Sequence, residues 1–120
     1  MGAVTASCAV PGVWPPVAIG GRRYFDGGLP SPSNADLARG CDRMLILSPR
    51  PQGGAPPWGS LVGEIVELRP AEVLVVHADE ASVAAFGQNP LSSATRRPSA
   101  ETGRAVGRAR AAGVAAFWAA

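Results

Sequence analysis

Lysine is absent from this 120-residue sequence, and all eleven of its basic residues are arginine. The formal net charge is only +2, and the arginines are scattered apart from two adjacent pairs, at residues 22–23 and 96–97. Nucleic-acid binding needs basic residues gathered on one face. The exclusive use of arginine indicates the composition bias of a GC-rich genome and not a functional basic patch. We therefore expect no nucleic-acid partner.

Residues that bind metals or form disulfides are also scarce. The single histidine, His77, excludes a multi-histidine metal site within the chain, and Cys8 and Cys41 are too few for a disulfide framework or a metal cluster. We expect both cysteines to be small buried side chains and His77 to be a surface or capped histidine. The sequence predicts no metal and no cofactor.

Long apolar runs are missing as well. A membrane helix needs roughly 18–20 apolar residues, and no segment approaches that length. The N-terminus has no basic region, and Pro11, Pro15 and Pro16 interrupt it, which argues against a secretory signal. We expect no transmembrane segment and a location in the cytoplasm or at the periphery of a membrane.

What is present suffices for one small domain. The chain is 47% hydrophobic and 17% charged, as in ordinary globular proteins. Glycine (15) and proline (12) supply more than a fifth of the residues, which predicts many loops. We find no internal repeat.

The hydrophobic pattern predicts four short strands. Val17–Ile19 and residues 22–26 flank a Gly-Gly turn, which favours a hairpin. The unbroken apolar run Met44–Leu47 is typical of a strand buried on both faces of a parallel sheet, and residues 72–77 form a second such segment. We expect Met44–Leu47 and Val73–Val76 to be neighbouring parallel strands, although so narrow a sheet would have open edges.

Four helices are predicted between and after these strands. Residues 34–40 form a short helix with Asn34 as N-cap and Gly40 as C-cap. The next two helices cover residues 61–68 and 79–87. A last helix follows a loop over residues 89–98. We expect Ser99 to be the N-cap of this last helix, with its buried side formed by Val106, Gly113, Val114 and Phe117. Alternating helices and strands indicate the α/β class.

One ordered series of motifs is the most informative feature of the chain. Its pieces are Ala6–Val17 (ASCAVPGVWPPV), Arg23–Gly28 (RYFDGG), Asn34–Ala38 (NADLA) and Gly40–Leu47 (GCDRMLIL). The series resembles the C-terminal half of the patatin-like phospholipase family, where A-S-x-A-x-P-G-x-F-P-P-V precedes a hairpin ending in D-G-[GA], followed by a polar loop, a helix and the strand D-x-V-L-V-L.

The resemblance covers about residues 5–49, and Ser60–Trp118 fits more loosely, as the tail of many bacterial members. It implies the C-terminal part of a three-layer α/β/α domain. Residues 1–49 would be the C-terminal part of the patatin-like domain, residues 50–59 a Pro/Gly-rich loop, and residues 60–120 a helix-and-strand tail of the same domain.

The resemblance also implies a lipid acyl hydrolase with a Ser-Asp dyad. In this family the aspartate of D-G-[GA] accepts the proton of the nucleophilic serine, and Asp26 occupies that position here, followed by Gly27 and Gly28. A serine hydroxyl needs such a base because it is a weak nucleophile. The two glycines let the backbone turn without side chains that would fill the cleft. By itself, Asp-Gly is more often a plain turn.

The nucleophile motif of the family, G-x-S-x-G, does not occur in these 120 residues. The segment at residues 20–23 only superficially resembles the oxyanion loop, because Tyr24 stands where that loop needs glycine. We therefore expect the chain to be a truncated member of a hydrolase family whose substrates are lipids or other acyl esters. We expect the chain alone to be inactive. One alternative is a non-catalytic module that associates with a separately encoded N-terminal half. Another is a gene-calling artefact or a pseudogene product with no function.

Two further features have weaker interpretations. Trp14 takes the aromatic position of the P-G-x-F-P-P-like segment, and we expect it to pack against its neighbours. Arg104, Arg108 and Arg110 are expected to form a solvated helix face, with a contact to anionic lipid headgroups as the alternative.

Overall fold

A computed structural model describes residues 1–31, 33–53, 60–89 and 91–120 of the chain. The fold mixes helices with two small sheets and is of the α/β class, as predicted. The helices and strands are, in chain order, α1 (Gly2–Ser7), β1 (Val17–Ile19), β2 (Arg22–Tyr24), a 3-10 helix (Ala35–Ala38), β3 (Arg43–Ser48), α2 (Leu61–Glu67), β4 (Glu72–His77), α3 (Glu80–Phe86), a 3-10 helix (Ser93–Thr95) and α4 (Arg96–Ala119).

The chain divides into two compact units. The first takes in Met1–Arg39 and the described part of Ala55–Leu68, and the second takes in the described part of Gly40–Gly54 with Arg69–Ala120. No large side chain in the described part of either unit is completely buried. Each unit therefore has a thin core.

The first unit begins with the predicted hairpin. Strands β1 and β2 pair antiparallel, with Val17 opposite Tyr24 and Ile19 opposite Arg22. Both turn glycines have positive φ (56° and 77°), a backbone region that suits glycine and a two-residue hairpin turn. Helix α1 packs on β1, where a Cβ on Gly2 would lie 3.6 Å from Ile19.

Helix α2 and the short helix over residues 35–38 contact each other in the same unit. The predicted helix at residues 34–40 is present only as this single 3-10 turn. Asn34 is at its N-cap but does not cap it, because its side chain donates to Gly27 instead of accepting a helix N–H. Gly40 follows the C-cap Arg39 with φ +93°, where glycine commonly ends a helix.

The second unit contains the predicted parallel sheet. β3 pairs with β4 in register, with Met44 opposite Val73 and Leu47 opposite Val76. The expectation that β3 is buried on both faces is wrong. Met44 and Ile46 are buried, but Leu47, on the opposite face, is 71% exposed. Alternate residues of a strand point to opposite faces, so the described residues cover only one face of this strand well.

Helices α3 and α4 pack against each other, and α4 also contacts β4. The prediction for the start of α4 is wrong, because the helix begins at Arg96 and not after Ser99. Pro98 is tolerated there since the N–H groups of a first helical turn have no intrahelical partner. Ser99 lies within the helix, and its hydroxyl contacts the carbonyl of Ala85 at 3.5 Å.

The predicted inner side of α4 is confirmed in part. Val106, Val114 and Phe117 are half-buried, but Gly113 is exposed. The three arginines expected on a solvated helix face are all exposed, as predicted: Arg104, Arg108 and Arg110.

Three predictions about single side chains are wrong. Cys8 and Cys41 are free and exposed instead of buried, and Trp14, expected to pack, is 63% exposed.

Residues 54–59 of the predicted Pro/Gly-rich loop lie outside the described residues. Within the described ranges, no helix has both the length and the apolar character that a membrane crossing requires.

Candidate functional site

Asp26, the predicted proton acceptor, lies two residues beyond the end of β2 and is half-buried. Its backbone N–H donates to the carbonyl of Ala9 at 3.0 Å. Ala9 and Ala6 are both buried, so the small residues of the A-S-x-A segment let the chain after α1 approach the end of the hairpin closely. The structure thus joins two of the motifs that the sequence singled out, the A-S-x-A segment and D-G-G.

The turn after Asp26 is closed by the aspartate side chain. The backbone N–H of Gly28 donates to Oδ1 of Asp26 at 2.7 Å, and the N–H of Leu29 approaches the carbonyl of Asp26 at 3.4 Å. A short side-chain acceptor that bonds the N–H two residues ahead is typical of aspartate in turns. The carboxylate therefore has a defined orientation.

The two glycines in this turn differ in the space around them. A Cβ on Gly28 would lie 3.0 Å from Oδ1 of Asp26, whereas a Cβ on Gly27 would have no heavy atom within 4 Å. A side chain at position 28 would thus crowd the carboxylate, which would have to shift by a few tenths of an ångström.

Asn34 supports the turn from the following loop. Its side-chain amide donates to the carbonyl of Gly27 at 3.0 Å and approaches the carbonyl of Ser31 at 3.4 Å. Asn34 itself has a left-handed backbone (φ 51°), which asparagine tolerates better than most residues. Its role is therefore to hold the D-G-G turn and not to cap the helix.

Sequence reasoning missed a polar cluster beneath this loop. Oε2 of Glu64, on α2, accepts hydrogen bonds from the hydroxyls of Ser31 and Ser33. The signal that could have revealed it is a single carboxylate on the inner face of α2, in line with Leu61, Ile65 and Leu68. A carboxylate on such a face needs polar partners, and the serines after D-G-G are suitable donors.

The structure brings no serine hydroxyl to Asp26 among the hydrogen bonds of the described residues. The hydroxyls of Ser31 and Ser33 donate to Glu64, that of Ser7 donates to the carbonyl of Val4, and that of Ser99 donates to the carbonyl of Ala85.

The possible metal ligands of the described residues do not form a cluster. In the described ranges, no three His, Cys, Asp or Glu residues lie close enough together to hold a metal ion. His77 is half-buried at the end of β4, and its Nδ1 lies 3.3 Å from the carbonyl of Arg50. This contact agrees with the expectation of a surface or capped histidine.

The segment that contains the D-G-G turn is similar to a known protein family. Residues 2–39 match the patatin-like phospholipase family model. The match contains α1, the hairpin, the D-G-G turn with Asp26, and Asn34. It confirms the resemblance inferred from the motifs in this segment and ends before β3.

The patatin-like match spans about a third of the chain. Three expectations stay predictions. They are the position of the segment in the C-terminal part of the patatin-like domain, the role of Asp26 as proton acceptor, and the division of the chain into segments after residues 49 and 59. Comparison of the chain with curated proteins and with solved structures gave no match.

Proposed function

We propose that this chain supplies the catalytic base of a patatin-like lipid acyl hydrolase, with Asp26 as the proton acceptor of a Ser-Asp dyad. The single observation that carries the proposal is the D-G-G turn within the patatin-like match: Asp26 follows the hairpin by two residues, and its carboxylate is oriented by Gly28. The substrate would be a lipid or another acyl ester, and the proposed location is the cytoplasm or the periphery of a membrane.

The chemistry requires a serine that these 120 residues do not present. G-x-S-x-G is absent from the sequence, and no serine hydroxyl among the described residues donates to Asp26. We therefore propose that the nucleophile and its oxyanion hole come from another segment. There Asp26 would take the serine proton as the hydroxyl oxygen attacks the ester carbonyl, and would return that proton to the leaving alcohol.

Reconstitution with the missing segment tests the proposal. The chain is co-expressed with an N-terminal half of a patatin-like hydrolase that carries the G-x-S-x-G serine, and hydrolysis of a short acyl ester is measured. Asp26→Asn keeps the size of the side chain but removes the base, and should lower the rate by about 10²–10⁴-fold.

Two other aspartates provide matched controls. Asp36 and Asp42 are exposed and lie in a 3-10 helix and directly before β3. Asp36→Asn and Asp42→Asn should retain most of the activity. An Asp26→Asn assembly that hydrolysed the ester at the wild-type rate would show that Asp26 is only a turn residue.

A second candidate function is that of a non-catalytic module that binds the same N-terminal half. The observation in its favour is the two-stranded parallel sheet, whose strands each pair on one side only within the described residues, with Leu47 exposed on β3. Open strand edges readily accept a further strand. In this case a stable complex would form with no ester hydrolysis, and Asp26→Asn would change neither.

A further inference from the structure

We infer that Glu64 of α2 is a positioning residue for Asp26, and that it acts through the described residues of the loop at 31–34. This inference rests on the proposed role of Asp26 as a base. It follows from a series of hydrogen bonds that leads from Glu64 to the turn at Asp26. Glu64 lies 38 positions after Asp26 in the sequence.

The first link joins α2 to the loop. Oε2 of Glu64 accepts the hydroxyl of Ser31 at 2.8 Å and also the hydroxyl of Ser33. Hydrogen bonds to an ionised acceptor are stronger than neutral ones. The other carboxylate oxygen, Oε1, is shielded from solvent and has no hydrogen-bond partner among the described residues. The carboxylate is thus committed to the two serines.

The second link shapes the loop. Because the Ser31 hydroxyl donates its proton to Glu64, its oxygen is oriented to accept from the backbone. It accepts the N–H of Asn34 at 2.7 Å and approaches that of Ser33 at 3.3 Å. These bonds hold Asn34 in its left-handed backbone conformation, which directs its side chain back toward the D-G-G turn.

The third link connects Asn34 to Asp26, the proposed catalytic base. The amide of Asn34 donates to the carbonyl of Gly27 at 3.0 Å, and the N–H of Gly28 donates to Oδ1 of Asp26 at 2.7 Å. The carbonyl of Gly27 and the N–H of Gly28 belong to the same planar peptide group. Fixing that carbonyl therefore fixes the direction of the N–H that orients the Asp26 carboxylate.

Nuclear magnetic resonance on the isolated 120-residue chain tests this relationship without any activity assay. The chemical shift of the Gly28 amide proton reports the geometry of its hydrogen bond to Asp26, because the carboxylate accepts it directly. Glu64→Ala should displace the Gly28 signal, because the N–H loses its fixed direction toward the Asp26 carboxylate. The amides of β1 and β2 should keep their positions, which shows that the unit remains folded.

Two variants on α2 separate positioning from a general effect on the helix. Glu64→Gln retains a side-chain oxygen that accepts two hydroxyls and should restore the Gly28 signal. Glu67→Ala removes a neighbouring carboxylate that forms an exposed ion pair with Arg39 at 3.0 Å, and should leave Gly28 unchanged. A Gly28 signal that is unchanged in Glu64→Ala would overturn the inference.

Asn34→Gly tests the middle of the series. Glycine suits a φ of 51°, so this change removes the side-chain amide without backbone strain. It should have the same effect on Gly28 as Glu64→Ala, and combining the two should add little. Fully additive effects would mean that the two residues act separately and would contradict the inference.

If Glu64→Ala also disturbs the hairpin amides, the double variant Ser31→Ala/Ser33→Ala decides. It removes the same two hydrogen bonds but leaves α2 unaltered, and an unchanged Gly28 signal in it would overturn the inference. A confirmed link to Gly28 in a chain that shows no hydrolysis on reconstitution would count against the proposed function alone.

Discussion

The N–H of Gly28 donates to Oδ1 of Asp26 at 2.7 Å, and a Cβ on Gly28 would approach the same oxygen to 3.0 Å. The two residues thus depend on each other: the aspartate closes the turn, and the absence of a side chain at position 28 leaves room for the carboxylate to do so. The D-G-G motif therefore has a local structural reason that is independent of catalysis.

This relationship predicts opposite effects for the two glycines of the motif. Gly28→Ala should push the carboxylate away and break its hydrogen bond, which lowers the free energy of unfolding by about 1 kcal/mol. Gly27→Ala meets open space and should be neutral or stabilising by up to about 1 kcal/mol, because alanine restricts the unfolded chain. Urea unfolding followed by the hairpin amides measures both changes. Equal losses for the two variants would argue against the predicted clash.

The one-sided burial of β3 predicts unequal effects at adjacent positions. Ile46 is 8% exposed and Leu47 is 71% exposed. Ile46→Ala should cost about 2–5 kcal/mol because it removes buried contacts and leaves a cavity. Leu47→Ala should change stability by no more than about 0.5 kcal/mol. Hydrogen exchange of the β3 and β4 amides provides the measurement, and protection that fell equally in both variants would contradict the assigned faces.

The N-cap of α3 predicts a dependence on pH. The pKa of Asp79 is lowered by the Ser82 hydroxyl and by the Ser82 backbone N–H. The backbone N–H donates to Oδ1 of Asp79 at 2.8 Å. A carboxyl whose pKa is lower in the folded state stabilises that state above its unfolded pKa, and the stabilisation is lost as the pH falls through the folded pKa. Asp79→Asn keeps an N-cap side chain but cannot ionise.

The stability advantage of the wild type over Asp79→Asn should therefore be present near neutral pH and disappear in acid, below the ordinary aspartate pKa of 3.8. Circular dichroism during urea unfolding at a series of pH values measures it. A difference that stayed constant down to the most acid sample would mean that the Asp79 charge does not stabilise α3.

The isolated chain should not react with a serine-directed fluorophosphonate. Such probes label serines that are activated by a neighbouring base, and no serine hydroxyl among the described residues donates to Asp26. Intact-mass spectrometry after incubation should show the unmodified protein. Stoichiometric labelling would reveal a nucleophile within these residues and would overturn the proposal that another segment supplies it.

Much of the fold could be predicted because its elements follow local signals. The Gly-Gly turn between two short segments indicated the hairpin, and the unbroken apolar runs indicated β3 and β4 with their correct pairing. The predicted start of α4 is wrong because proline is typical of loops as well as of first helical turns. Pro98 occupies the first turn of the helix, where its missing N–H costs nothing.

For the candidate site, the sequence alone determined the D-G-G turn and the patatin-like order of motifs around it, since these depend on residues that are close along the chain. Only the tertiary structure revealed that Glu64 binds Ser31 and Ser33, more than 30 positions away. It also established that both cysteines are exposed and that β3 is covered on one face. These features depend on which surfaces pack together, and packing is set by contacts between distant parts of the chain and not by the local pattern of side chains.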